Sequence, residues 1–83
     1  MYKKGVKLDE AGLRKEATEY YIDALARKRT NVDAKIALKK TGQQVLDDIL
    51  VEFYQAQAVE DHKRAVYAYR EADAFRDRVA FVG

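Results

Sequence analysis

No proline occurs anywhere in the 83 residues, and the four glycines stand alone at Gly5, Gly12, Gly42 and Gly83. Proline removes a backbone donor and clashes with the preceding turn, which costs a helix interior ~3 kcal/mol; glycine costs ~1 kcal/mol against alanine. A chain free of the first and sparing of the second, and rich in alanine, lysine, glutamate, leucine and arginine, meets few obstacles to being helical almost throughout. The expected fold class is all-α.

Punctuation divides the chain into four segments. A short helix is expected over Tyr2 to Glu10, with Gly12 supplying the turn after it. A second runs about Leu13 to Lys28. In it Leu13, Ala17, Tyr21, Ala24 and Lys28 recur every three or four residues and share a face, widened by Tyr20 and Leu25. Arg27, Lys28 and Arg29 suit the negative end of its dipole. In "TNVD", Thr30 or Asn31 can cap the next helix. That third helix is long, about Val32 to Ala58, with a stripe of Ala34, Leu38, Val45, Ile49, Phe53 and Ala56, broadened by Leu46 and Leu50. Gly42 after two lysines is also a stop signal. Leu38 and Val45 lie in register across it, however, which favours one unbroken helix. Asp61 or Glu60 caps a fourth helix over about Asp61 to Ala80. Its expected face is Ala65, Tyr69, Ala72, Arg76 and Val79, flanked by Val66 and Phe75.

The length accommodates one domain, residues 1–83. Apolar residues make up 48% of the chain, enough for a folded core. With no cysteine, neither disulfides nor cysteine-ligated zinc can brace it. The net charge of +2 is a small excess spread among interspersed acids and bases. No apolar run approaches the ~20 residues that span a bilayer, so no membrane span is expected. The opening residues lack the apolar core of a signal peptide. The sequence does not indicate a compartment.

Chemistry is poorly represented. His62 is the single histidine, and its neighbours Glu60 and Asp61 do not converge with it on a helix face. It reads as a solvated helix start. Asp47, Asp48 and Glu52 read as a solvated acidic face. No phosphate-cradling glycine loop and no nucleophile–base arrangement is present. The expectation is therefore no catalytic residue, no metal and no cofactor. Three basic groups, Lys3/Lys4/Lys7, Arg27–Arg29 and Lys39/Lys40, keep a small nucleic-acid-binding helical module open as an alternative. Acids intervene throughout, though, and phosphate binding needs gathered cations.

The spacing of small and aromatic residues carries more information. Gly12 stands seven positions after Gly5; then come Ala17, Tyr21, Ala24 and Leu25. Ala65, Tyr69 and Ala72 repeat the intervals of Ala17, Tyr21 and Ala24. This pattern resembles the tetratricopeptide repeat, in which 34 residues form two antiparallel helices. Arg29 stands where that family usually has proline, and Phe53 and Glu60 stand where the second unit would have glycines. Ala17 and Ala65 are 48 positions apart. The excess of 14 over the family period is close to four helical turns, so a helix longer by ~21 Å keeps the apolar stripe near its former face.

The resemblance implies antiparallel helical hairpins in a right-handed superhelix fragment of three to four helices, with one long central helix. It also implies a small-residue crossing at Ala17, Ala24, Ala65 and Ala72, with Tyr21 and Tyr69 packed beside it. In that family the first helix of each unit lines a concave groove. Carried onto this chain, the groove residues are Tyr2, Val6, Asp9 and Glu10 from the first unit, and Asp47, Leu50, Tyr54 and Gln57 from the second. The implied function is a non-catalytic scaffold or adaptor holding a peptide or protein segment, with Asp9, Glu10 and Asp47 favouring a basic one. Two units leave a stacking surface uncovered, since about three are expected for stability, and Phe81 and Val82 place apolar residues at the terminus. The structural alternative is thus a module packing against the rest of a longer chain or against a second copy.

Overall fold

In the computed structural model, which describes residues 1–82, four helices follow one another: α1 (Tyr2–Glu10), α2 (Arg14–Arg27), α3 (Val32–Ala58) and α4 (His62–Val82). The fold is all-α, and no strand occurs among the described residues. The molecule is a slab of 43 × 26 × 14 Å, its long axis matching the ~40 Å of a 27-residue helix. Each helix packs on the next in the chain, α1 on α2, α2 on α3, α3 on α4.

Local chemistry sets the turns. Gly12 adopts φ +83°, with open space around its Cα. The amides of Gly12 and Leu13 return to the carbonyls of Asp9 and Leu8, closing α1 with a left-handed glycine. Asn31, rather than Thr30, caps α3 by accepting from the Ala34 amide at 3.1 Å. Asp61 caps α4 through the Arg64 amide at 3.2 Å. Glu60 instead takes the left-handed conformation that turns the chain, φ 58°.

The helix α3 is continuous through Gly42. Its stripe divides between two cores. Ala34 and Leu38 join Ala17, Tyr21, Ile22, Ala24, Leu25 and Val82. Val45 and Ile49 join Ala68, Ala72 and Phe75. Each fully buried large apolar side chain in these clusters contributes roughly 1.5–3 kcal/mol.

Two features of the helix faces differ from expectation. On α2, Thr18 and Ile22 are buried while Leu13, expected on the apolar face, is 48% exposed just outside the helix start. On α4, Tyr69 is 54% exposed rather than part of the packing. The buried face runs through Ala65, Ala68, Ala72, Phe75 and Val82, so its centre lies a residue away from the expected line. That turns Tyr69 and Arg76 onto the rim and leaves Val66 exposed. Tyr69 still reaches α3, its ring centroid 6.0 Å from that of Phe53. At the terminus, Val82 is buried and Phe81 is exposed beneath the Arg29 guanidinium, 5.8 Å from its ring.

Ala17, Ala24, Ala65 and Ala72 are all buried. Gly5 is required by the crossing of α1 on α2: a Cβ there would fall 2.6 Å from Tyr21 Cε1. The Tyr2 and Tyr21 rings lie alongside, their centroids 5.8 Å apart and their planes tilted by 37°. On the opposite side of the slab α2 is tied to α4 by two exposed ion pairs, Lys15–Glu71 at 2.6 Å and the two-pronged Arg78–Glu19.

Candidate functional site

Between α1 and α3 the surface sinks into a cleft of about 490 Å³. The α1 wall carries Tyr2, Val6, Asp9 and Glu10. These are the four residues expected from the first unit, placed together because positions 2, 6, 9 and 10 repeat at helical spacing. The α3 wall carries Asp33, Ile36, Ala37, Lys40, Thr41 and Gln44.

Asp9 organises the floor. Its Oδ2 accepts one hydrogen bond from the Tyr21 hydroxyl at 3.1 Å and a second from the Thr41 hydroxyl at 2.6 Å. One carboxylate oxygen therefore joins α1, α2 and α3. Tyr21 is 1% exposed. Burial, then the hydrogen bond to Asp9 and its negative charge, push the Tyr21 phenol up to about 12. The phenol keeps its proton at neutral pH and serves as a donor. Thr41 is also buried. Its hydroxyl would be costly to enclose without this partner.

Second-unit residues do not enter the cleft. Asp47 and Tyr54 lie on the α3 surface that continues its wall: Ile36, Lys40, Gln44, Asp47, Val51 and Tyr54 fall within a sector of about 80° on the helix. Gln43 donates to Asp47 at 2.9 Å, and Tyr54 is 63% exposed. Leu50 and Gln57 turn to the other side of that line, and Leu50 is half-buried against the second core.

Arg14 and the whole α3 wall were not expected in the groove; of these, Ile36, Arg14 and Lys40 matter most. Ile36 is 62% exposed. An isoleucine outside the core stripe of an amphipathic helix was the signal that could have marked it. Arg14 and Lys40 bring two cations among Asp9, Glu10 and Asp33, so the acidic bias is smaller than the expected residues alone suggest.

Basic groups remain scattered: Lys4 lies over the Tyr20 ring at 5.1 Å, far in the chain from Arg29 at Phe81. No group of three or more His, Asp or Glu side chains able to hold a metal occurs among the described residues, and no described helix is long and apolar enough to cross a membrane. Comparison of the chain with protein-family models, with curated proteins and with solved structures gives no match.

Proposed function

We propose that this protein is a non-catalytic interaction module that seats a peptide or protein segment in the α1–α3 cleft. One observation carries the reading. Tyr2, Val6, Asp9 and Glu10 line a single cleft whose facing wall presents Ile36, an isoleucine with no role in the core. An aromatic ring, two aliphatic side chains and both charge signs around a recess suit a segment with an apolar anchor flanked by charged residues. Three acids against two bases favour a net-basic segment. The α3 surface through Asp47 and Tyr54 extends the contact beyond the cleft, while Leu50 and Gln57 contribute less, being turned aside.

The tetratricopeptide-like arrangement belongs to the same proposal. The glycine-on-tyrosine crossing of Gly5 and Tyr21 and the buried Ala17 and Ala24 support it in the first unit, and the buried Ala65 and Ala72 in the second. The outward rotation of Tyr69 weighs against regularity in the second.

Selection from a random peptide library tests the function. Enriched peptides should lose at least about tenfold in affinity, ~1.4 kcal/mol, on Ile36→Asp. They should lose less on Tyr54→Ala or Asp47→Lys. Peptides that bind Ile36→Asp and the parent chain equally would refute the cleft as the site.

A further inference from the structure

A second surface points to a different partner. Gly42 sits in the interior of α3, where glycine costs stability relative to alanine. Unlike Gly5, it is not required by the fold around it. A Cβ at Gly42 would meet Leu38 Cδ1 at 3.5 Å and Phe75 Cζ at 3.6 Å, ordinary contact distances. Its bare position forms the floor of a groove of about 300 Å³ between α3 and α4, walled by Leu46, Phe75 and Val79 and rimmed by Lys39 and Arg76.

The groove lies on the side of the α3–α4 hairpin away from α2. Glu71 and Arg78, which meet α2, line a separate recess, and Phe75 stands between the two. Further along the same side are Leu50 and the aromatic pair Phe53 and Tyr69, and the hairpin turn ends it with Glu60 and Asp61. One end of this face is thus a recess rimmed by Lys39 and by Arg76, the latter 4.0 Å from Asp73, with Lys35 one helical turn before Lys39. The other end carries rings and acids.

We infer that this face pairs with the same face of a second copy, antiparallel, about a twofold axis crossing α3 between Leu46 and Leu50. Counting along α3 in both directions from that axis sets Phe53 of the second copy over Gly42. It also brings the hairpin turn just past the end of α3, with Glu60 of the second copy, alongside Lys35, and each contact occurs twice. Tyr69 of the second copy then approaches Arg76, and Leu46 and Leu50 meet their counterparts near the axis. A twofold interface requires such self-complementarity. The face is about 40 Å long and two helices wide, so it offers roughly 800 Å², the share each partner contributes to a standard-size interface. The cleft lies on another side of α3, so dimerisation and segment binding are separable.

Sedimentation equilibrium of the full chain tests the inference. The chain should dimerise. Gly42→Ala should raise the dimer dissociation constant at least about tenfold, because the added methyl occupies the seat of the ring. Lys35→Glu, an exposed change that leaves the fold intact by circular dichroism, should weaken the dimer severalfold, and Lys35→Glu with Glu60→Lys should restore it. A chain that stays monomeric at high concentration, its face being covered by some other partner, would overturn the inference. So would a dimer indifferent to Gly42→Ala, or one that the charge swap does not rescue.

Discussion

Thr41 donates its hydroxyl proton to Asp9 at 2.6 Å across 32 positions of chain, joining the first helix to the middle of the third. Hydrogen bonds to a charged acceptor contribute about 1.5–3 kcal/mol, and one partner left alone in a buried site costs more than the pair replaced together. Thr41→Val keeps the side-chain shape and removes the donor. It should lower unfolding free energy by about 1–2 kcal/mol. Asp9→Ala should lower it further, since Tyr21 and Thr41 both lose their acceptor. Chemical denaturation of the two variants checks the order. In a cycle of Thr41→Val with Tyr21→Phe, the shared oxygen predicts coupling above the ~0.5 kcal/mol scatter of independent sites.

Tyr21 also predicts an alkaline limit. An unfolded tyrosine titrates near 10, whereas the folded Tyr21 phenol is held up to about 12. Between these values the unfolded state releases a proton that the folded state retains. The folded state then binds more protons, and stability falls as pH rises. The contribution is fully present below pH ~10 and is lost towards pH ~12, with a slope of at most about 1.4 kcal/mol per pH unit. Melting temperatures across this window should fall less steeply for Tyr21→Phe than for the parent chain.

The two helical glycines should answer oppositely to alanine. At Gly5 the added methyl meets the Tyr21 ring at 2.6 Å and the Ala17 carbonyl at 3.2 Å. Backbone cannot yield as a side-chain tip does, so Gly5→Ala should destabilise by about 1–3 kcal/mol despite its better helix propensity. At Gly42 there is room. Gly42→Ala should stabilise by up to ~1 kcal/mol at concentrations where the chain is monomeric. Thermal melts of both variants at low micromolar concentration give the comparison.

These two glycines also show how the sequence was legible and where it was not. Gly5 and Gly12 with Ala17, Tyr21 and Ala24 marked the α1–α2 crossing because close approach demands small side chains at particular intervals. The unbroken α3 was readable from the register of Leu38 and Val45. Asn31 and Asp61 were each one of two candidate caps, Thr30 and Glu60 being the others, and the hydrogen bonds to Ala34 and Arg64 choose between them. Tyr69 was misplaced for a physical reason: alanine marks a face weakly. With Ala65, Ala68 and Ala72 all small, the buried line of α4 is decided by Phe75 and Val82, and these rotate Tyr69 outwards. Half of the candidate site was visible as α1 positions. The other wall was hidden because the approach of α3 to α1 is set by the Asp9–Thr41 contact. No local pattern announces a contact between residues so distant in sequence.

The α2–α4 ties should matter little. Lys15, Glu19 and Arg78 are about half exposed and Glu71 about a third, and surface pairs contribute about 0–1 kcal/mol each. Glu19→Gln should therefore cost at most about 1 kcal/mol at low salt. That difference should vanish near 1 M salt, where screening acts within ~3 Å. Denaturation at two ionic strengths decides it.

The central claim is that the cleft between α1 and α3 is where a partner segment sits. Amide chemical shifts of the isotope-labelled chain, followed while a library-selected peptide is added, test it most directly. The account predicts shifts concentrated at Tyr2, Val6, Asp9, Ile36, Lys40 and Gln44, fading along α3 towards Tyr54. Shifts confined to the outer face of α4, around Val66, Tyr67 and Arg70, with the cleft amides unmoved, would contradict it.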